Sequence, residues 1–189
     1  MMIINLILEK KDNIIKKWFD VILDTYPDET SRFMRRQKDR FANPVGYSIL
    51  QGVKGLFDCL TSKTDSGDVS AFLDDIIRVK AVQDSSAVQA LSFVFSLKTV
   101  VRQELADDIR KSLTDVKNGN QIMEELLDFE SRIDKQALLA FDIYMQCREK
   151  IYEIRANDVK NQTFRLLQQA NLVYEHKNRV VFGPGSTDK

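Results

Sequence analysis

A chain of 189 residues, 43% of them hydrophobic, can bury one sizeable core and fits one domain with at most an appended element. Lys plus Arg and Asp plus Glu both number 28, so no global field draws the chain to nucleic acid or anionic lipid. Gly 7 and Pro 3 favour long helices. The two isolated cysteines, Cys59 and Cys147, fit a reducing cytoplasm better than a disulfide framework.

The apolar start, Met1 to Leu8, meets Glu9, Lys10, Lys11 and Asp12 at once. It lacks a basic leader and a small-residue cleavage site, so it is not a signal peptide, and a cytoplasmic protein is expected. Ile14, Ile15, Trp18, Phe19, Ile22 and Leu23 fall at three-and-four spacing and predict a first helix over Ile3 to Tyr26. Pro27 ends it and opens a second, running to about Phe41 with Phe33 and Phe41 inward. Arg32, Arg35, Arg36, Lys38 and Arg40 make this helix basic, as an anion site or as a solvated face.

Asn43 caps a third helix with Pro44 at its first position. Its apolar stripe is Val45, Ile49, Val53, Leu56, Phe57 and Leu60, and Gly46, Gly52 and Gly55 on it predict close packing of a neighbour. A polar loop over Ser62 to Asp68 leads to a fourth helix, Val69 to Val82. The next segment is apolar nearly all round: Leu91, Phe93, Val94, Phe95, Leu97, Val100, Val101 and Leu105. Ser96, Lys98 and Thr99 interrupt it too soon for a membrane span, so it is expected to be the central core helix of a soluble domain. Ser86 and Gln89 have capping-box spacing at its start, and Ile109 and Leu113 carry it onward.

Asn118-Gly119-Asn120 reads as a turn. From Gln121 to about Tyr174 neither Pro nor Gly occurs, and one helix of that length spans roughly 80 Å. Ala137, Ala140, Tyr144, Cys147, Ile151 and Ile154 follow 3,4,3,4,3 spacing, the stripe of a coiled-coil seam. This predicts a homodimer helix with a break near Arg155 to Asn161; an intramolecular helix folded back at a kink is the alternative. Arg179 to Phe182 could form a short strand before a flexible Gly183-Pro184-Gly185-Ser186 end. The expected organisation is all-α: a helical core over 1–118, a long helix over 119–176 and a tail over 177–189.

His176 is the sole histidine. That excludes a Ser-His-Asp or Cys-His pair in the core and a histidine-rich metal site, and no Gly-rich phosphate loop is present. No cofactor is expected and no catalytic set is visible. Lys98 with Arg102 one turn on could hold an anion in a pocket, although long charged side chains more often reach solvent. Phe93, Phe95, Tyr47 and Phe57 could line a small apolar pocket, although such residues are more often simply core.

Four blocks recur in a familiar order: Tyr26-Pro27 with Glu29-Thr30, Arg40 to Gly46, Arg78 to Asp84, and Ala90 to Lys98. Together they resemble the RsbRD-type N-terminal sensory domain, the input module of RsbT co-antagonist proteins in bacterial stressosomes. Tyr152 to Asn157 and Arg165-Leu166-Leu167 look like its continuation. The resemblance implies an all-α, non-haem globin-like input domain that dimerises, is not an enzyme, and leads into a phosphorylated STAS domain. The end of the chain at Lys189 leaves no room for that domain, so a stand-alone form is expected. Resemblance to stand-alone members, encoded beside membrane electron-transfer complexes of sulfate-reducing bacteria, implies an accessory role. That role could be redox or gas sensing with a bound cofactor, or docking to a sulfite-reduction complex. Motif positions expected to bind a ligand are Arg40, Asn43, Arg78, Gln83, Asp84, Lys98 and Arg102, although Asn43 also reads as a cap and Arg78 as a surface pair.

Overall fold

The computed structural model describes residues 2–37, 39–62, 68–112 and 116–169. Among them lie eight helices and no strand: α1 (Met2–Glu9), α2 (Lys11–Leu23), α3 (Asp28–Arg36), α4 (Pro44–Thr61), α5 (Asp68–Val82), α6 (Ala87–Glu104), α7 (Ala106–Ser112) and α8 (Val116–Gln169). The fold is all-α with a long C-terminal helix, as the composition and spacing predict. By packing, the chain divides into Met1–Glu149 and Lys150–Lys189.

Within Met1–Glu149 the core is built around α2, which packs on α1, α3, α4 and α6. Trp18 is fully buried. Its ring stacks on Phe93 at 6.3 Å between centroids, and its Nε1 donates to the Phe93 carbonyl at 2.7 Å. Ser96 Oγ donates to the same carbonyl at 2.6 Å. The indole thus buries its apolar body and satisfies its one donor against the central helix. α6 starts at a full capping box, Ser86 with Gln89. Leu91, Phe93, Val94, Leu97, Val100 and Val101 are all buried on it. Phe95 is the correction: it is 49% exposed.

The caps at α4 follow the sequence. Asn43 Oδ1 accepts from the Gly46 N–H at 2.9 Å, with Pro44 at the first position. On the same helix Gly52 and Gly55 face α5. A Cβ on Gly52 would meet Ile76 Cδ1 at 2.8 Å, and one on Gly55 would meet the Phe72 ring at 2.5 Å. The close neighbour expected at these glycines is therefore α5. Gly46 differs, because what crowds it is its own cap, Asn43.

Several expected boundaries are corrected by tertiary contacts. The first helix is two, bent at Lys10, whose Nζ donates to the Glu104 carbonyl at 2.7 Å. The bend keeps the backbone ladder running, with Lys10 N–H on Leu6 O and Ile14 N–H on Lys10 O. α3 stops at Arg36, and Phe33 and Phe41 point outward at 50% and 91% exposure. Met34 and Ser31 are its buried residues, while Arg35 Nε pairs with Asp20 across to α2 at 2.9 Å. α6 bends at the fully buried Leu105, and α7 comes next. Asn118-Gly119-Asn120 is no turn: it lies in the opening of α8. A first turn needs no N–H partner within the helix, and Ile122 and Leu126, both buried, anchor the turns beyond it. α8 also runs unbroken through Arg155 to Asn161, correcting the expected break. Leu113, His176, Arg179 to Phe182 and Gly183 to Ser186 lie outside the described residues.

Candidate functional site

The seven motif positions divide into five places. Lys98 and Arg102, one turn apart on α6, both face acids one turn apart on α8. Lys98 Nζ lies 2.6 Å from Asp134 Oδ1. Arg102 grips Glu130 with two hydrogen bonds, Nε to Oε1 at 2.6 Å and Nη2 to Oε2 at 2.7 Å. Glu130 is 6% exposed, and its hydrogen bonds hold the Arg102 guanidinium above its usual range. A two-pronged pair with a buried carboxylate is a strong, oriented contact. Beside it a groove of about 420 Å³ is lined by Arg102, Ala106, Ile109, Met123, Leu127 and Glu130, among others. The cations expected to await an anion are thus already neutralised.

Gln83 and Asp84 lie at the corner between α5 and α6. Asp84 has φ 54, the left-handed region that Asp and Asn tolerate best after glycine. The Asp84 N–H donates to Ala81 O at 3.3 Å and the Ser85 N–H to Lys80 O at 3.2 Å, which is a Schellman closure of α5. α8 holds this corner. Tyr144 Oη donates to Ser85 O at 2.7 Å. Arg148 Nη1 donates to Asp84 Oδ1 at 2.7 Å and to Ala81 O at 3.3 Å. Gln83 is exposed.

The remaining motif positions stand apart from both clusters. Arg78 pairs with Asp74 one turn back, Nε to Oδ2 at 2.6 Å. Asn43 is buried, and Nδ2 donates to Met34 O at 3.1 Å and Gln37 O at 2.8 Å. It ties the end of α3 to the start of α4. Arg40 is exposed, its guanidinium 5.9 Å from the Tyr47 ring centre. Phe57 is fully buried.

One cluster was missed by sequence reasoning. Lys80 is 5% exposed, with Nζ donating to Thr25 Oγ1 at 2.6 Å and lying 3.9 Å from the Tyr26 ring centre. Burial lowers its pKa to about 8, because desolvation disfavours the charged form. Burial likewise raises that of Tyr26, whose Oη is buried with no hydrogen-bond partner among the described residues. The signal was present: Lys80 follows Leu73, Ile76 and Ile77 in the apolar phase of α5, and all three are fully buried. Tyr26 and Lys80 also sit in two of the familiar blocks.

The seam positions separate too. Ala137, Ala140 and Tyr144 are buried in the chain's own core at 5%, 0% and 7% exposure. Cys147 is half-buried, Ile151 intermediate, and Ile154 52% exposed. In Lys150–Lys189, taken by itself, every residue over 152–169 is exposed. Tyr152, Val159 and Leu166, at seven-residue spacing, are 57%, 62% and 65% exposed, with Ala156 and Thr163 between them. That row begins one residue beyond the expected Ile151.

Among the described residues, no cluster of three or more His, Cys, Asp or Glu side chains could hold a metal ion. No helix among them is long and apolar enough to cross a membrane. No curated protein and no solved structure matches the chain. One family model does, over residues 12–159, a span holding all seven motif positions, Tyr26, Lys80 and the α5–α6 corner. On that match the chain belongs to the family of the RsbT co-antagonist protein rsbRD N-terminal domain, a family of sensory and regulatory input modules.

Proposed function

We propose that this chain is a non-enzymatic, cytoplasmic sensory module. A small ligand or protein partner bound to its helical unit alters how its C-terminal helix pairs with a second copy. The observation that carries this reading is the exposed row Tyr152, Ala156, Val159, Thr163 and Leu166. Its 4,3,4,3 spacing is that of a coiled-coil seam, which packs knobs into the holes of an equivalent helix. Exposed apolar rows of this kind mark interaction surfaces. A binding event needs a bistable element to bias, and the corner of α5 and α6 held by Tyr144 and Arg148 is a discrete contact that two states could make and break.

Native mass spectrometry of the full chain tests it. A dimer that becomes monomeric in Val159→Glu and in Leu166→Glu supports the reading. A chain that is monomeric before substitution overturns the pairing and moves the same apolar row to a different protein, the docking-subunit reading.

A further inference from the structure

We propose that Lys80 and Tyr26 form a binding site for a small carboxylate anion at the corner between α2 and α3. The ammonium of Lys80 has three N–H donors. One goes to Thr25 Oγ1 at 2.6 Å, and the group rests over the Tyr26 ring at 3.9 Å. Thr25 Oγ1 donates onward to Ile22 O at 2.7 Å, so its hydrogen is committed and its lone pair serves Lys80. Tyr26 Oη is buried and donates to nothing among the described residues. Among those residues no carboxylate pairs with Lys80, and burial is what shifts it.

The corner therefore holds two buried donors, one of them a cation, and among the described residues no carboxylate faces the ammonium and no acceptor faces the Tyr26 hydroxyl. A buried charge without a counter-charge is unfavourable, and so is a buried hydroxyl without a partner. A carboxylate corrects both. It brings one negative charge for the ammonium and a second oxygen for the tyrosine hydroxyl. Chloride brings the charge without that second directed acceptor. Approach is from the exposed side of the corner, where Asp24 and Thr25 are open to solvent. The site differs from Lys98 and Arg102, which the chain's own acids already neutralise. It supplies the input that the sensory reading requires, and its signalling value rests on that reading.

The test uses the full chain with sodium acetate and sodium formate, against sodium chloride at equal ionic strength. Calorimetric melting and line broadening of ¹³C-acetate are both read. Acetate is expected to raise the melting temperature by roughly 2–4 °C beyond chloride. Tyr26→Phe removes one hydrogen bond and should weaken acetate about fivefold while the protein stays folded. Lys80→Met should melt higher without ligand and lose the acetate-specific shift. The site is overturned if acetate and chloride act alike, or if both variants keep the full acetate shift. Native mass spectra with and without acetate are read separately. Acetate binding with an unmoved monomer–dimer ratio upholds the site and overturns its coupling to the helix.

Discussion

α6 and the last stretch of α8 carry similar apolar residues and meet opposite fates. On α6, Leu91, Phe93, Val94, Leu97, Val100 and Val101 are all buried. Over 152–169, Tyr152, Ile154, Val159, Phe164, Leu166 and Leu167 are all 39% exposed or more. The first helix is held by tertiary packing and a capping box. The second continues α8 with every residue over 152–169 exposed, and helical stability in proteins comes mostly from packing of an apolar face. Apolar content alone therefore does not tell which helices are buried: α6 and the end of α8 carry similar residues and differ in burial.

If this contrast is right, damage to the packed region is costly and damage to the exposed one is not. The largest effect should come from Trp18→Ala, which empties the contact with α6. We expect a loss of about 3–5 kcal/mol in denaturant unfolding, enough to unfold much of the protein.

Lys80→Met sharpens the comparison within the core through pH. Both the folded and the unfolded chain hold the Lys80 proton below pH 8, so the full desolvation penalty is present there. Between pH 8 and 10.5 the folded chain has released the proton while the unfolded chain keeps it. Stability from this group therefore rises with pH across that window, by up to about 3 kcal/mol. The difference between wild type and Lys80→Met in stability should shrink by that amount from pH 8 towards 10, as followed by urea midpoints. A pH-independent difference would show that Lys80 is not buried as a cation.

Asn43→Ala removes a cap and two further hydrogen bonds and should lower stability by about 2 kcal/mol. The smallest effect is expected from Val159→Glu, within about 0.5 kcal/mol for unfolding of the core measured at concentrations where the chain is monomeric. A large loss there would break the contrast, because it would mean that the exposed row supports the fold.

The elements that could be read from the sequence are those set by local chemistry. Asn43 before Pro44, and Ser86 three residues before Gln89, fix helix starts within one turn of chain, and both caps are present. The elements that could not be read are set by distant contacts. Neither Lys10 nor Leu105 is a helix breaker, yet the chain bends at each: one reaches the Glu104 carbonyl and the other buries its side chain. Phe33 and Phe41 looked like core from hydrophobicity alone, but Met34 and Ser31 occupy the buried phase of α3. At the candidate sites, Lys98 and Arg102 were visible as unusual cations, while Glu130 and Asp134 were not, because pairing across helices 28 residues or more apart leaves no local pattern. Lys80 was hidden by habit: a lysine in an apolar phase is usually taken to reach solvent.

Gly52 and Gly55 separate two outcomes of a common engineering rule. In an exposed helix, replacing glycine by alanine adds about 0.5–1 kcal/mol of stability, and a screen ranking positions by helix propensity would select both. Here the methyl would land 2.5 Å from the Phe72 ring at Gly55 and 2.8 Å from Ile76 at Gly52, where the backbone carbonyl of Phe72 stands only 3.1 Å away. A library built on that rule would crowd α4 against α5 at Gly52, where Ile76 is fully buried and the Phe72 carbonyl is fixed, whereas at Gly55 the half-buried Phe72 ring can swing aside.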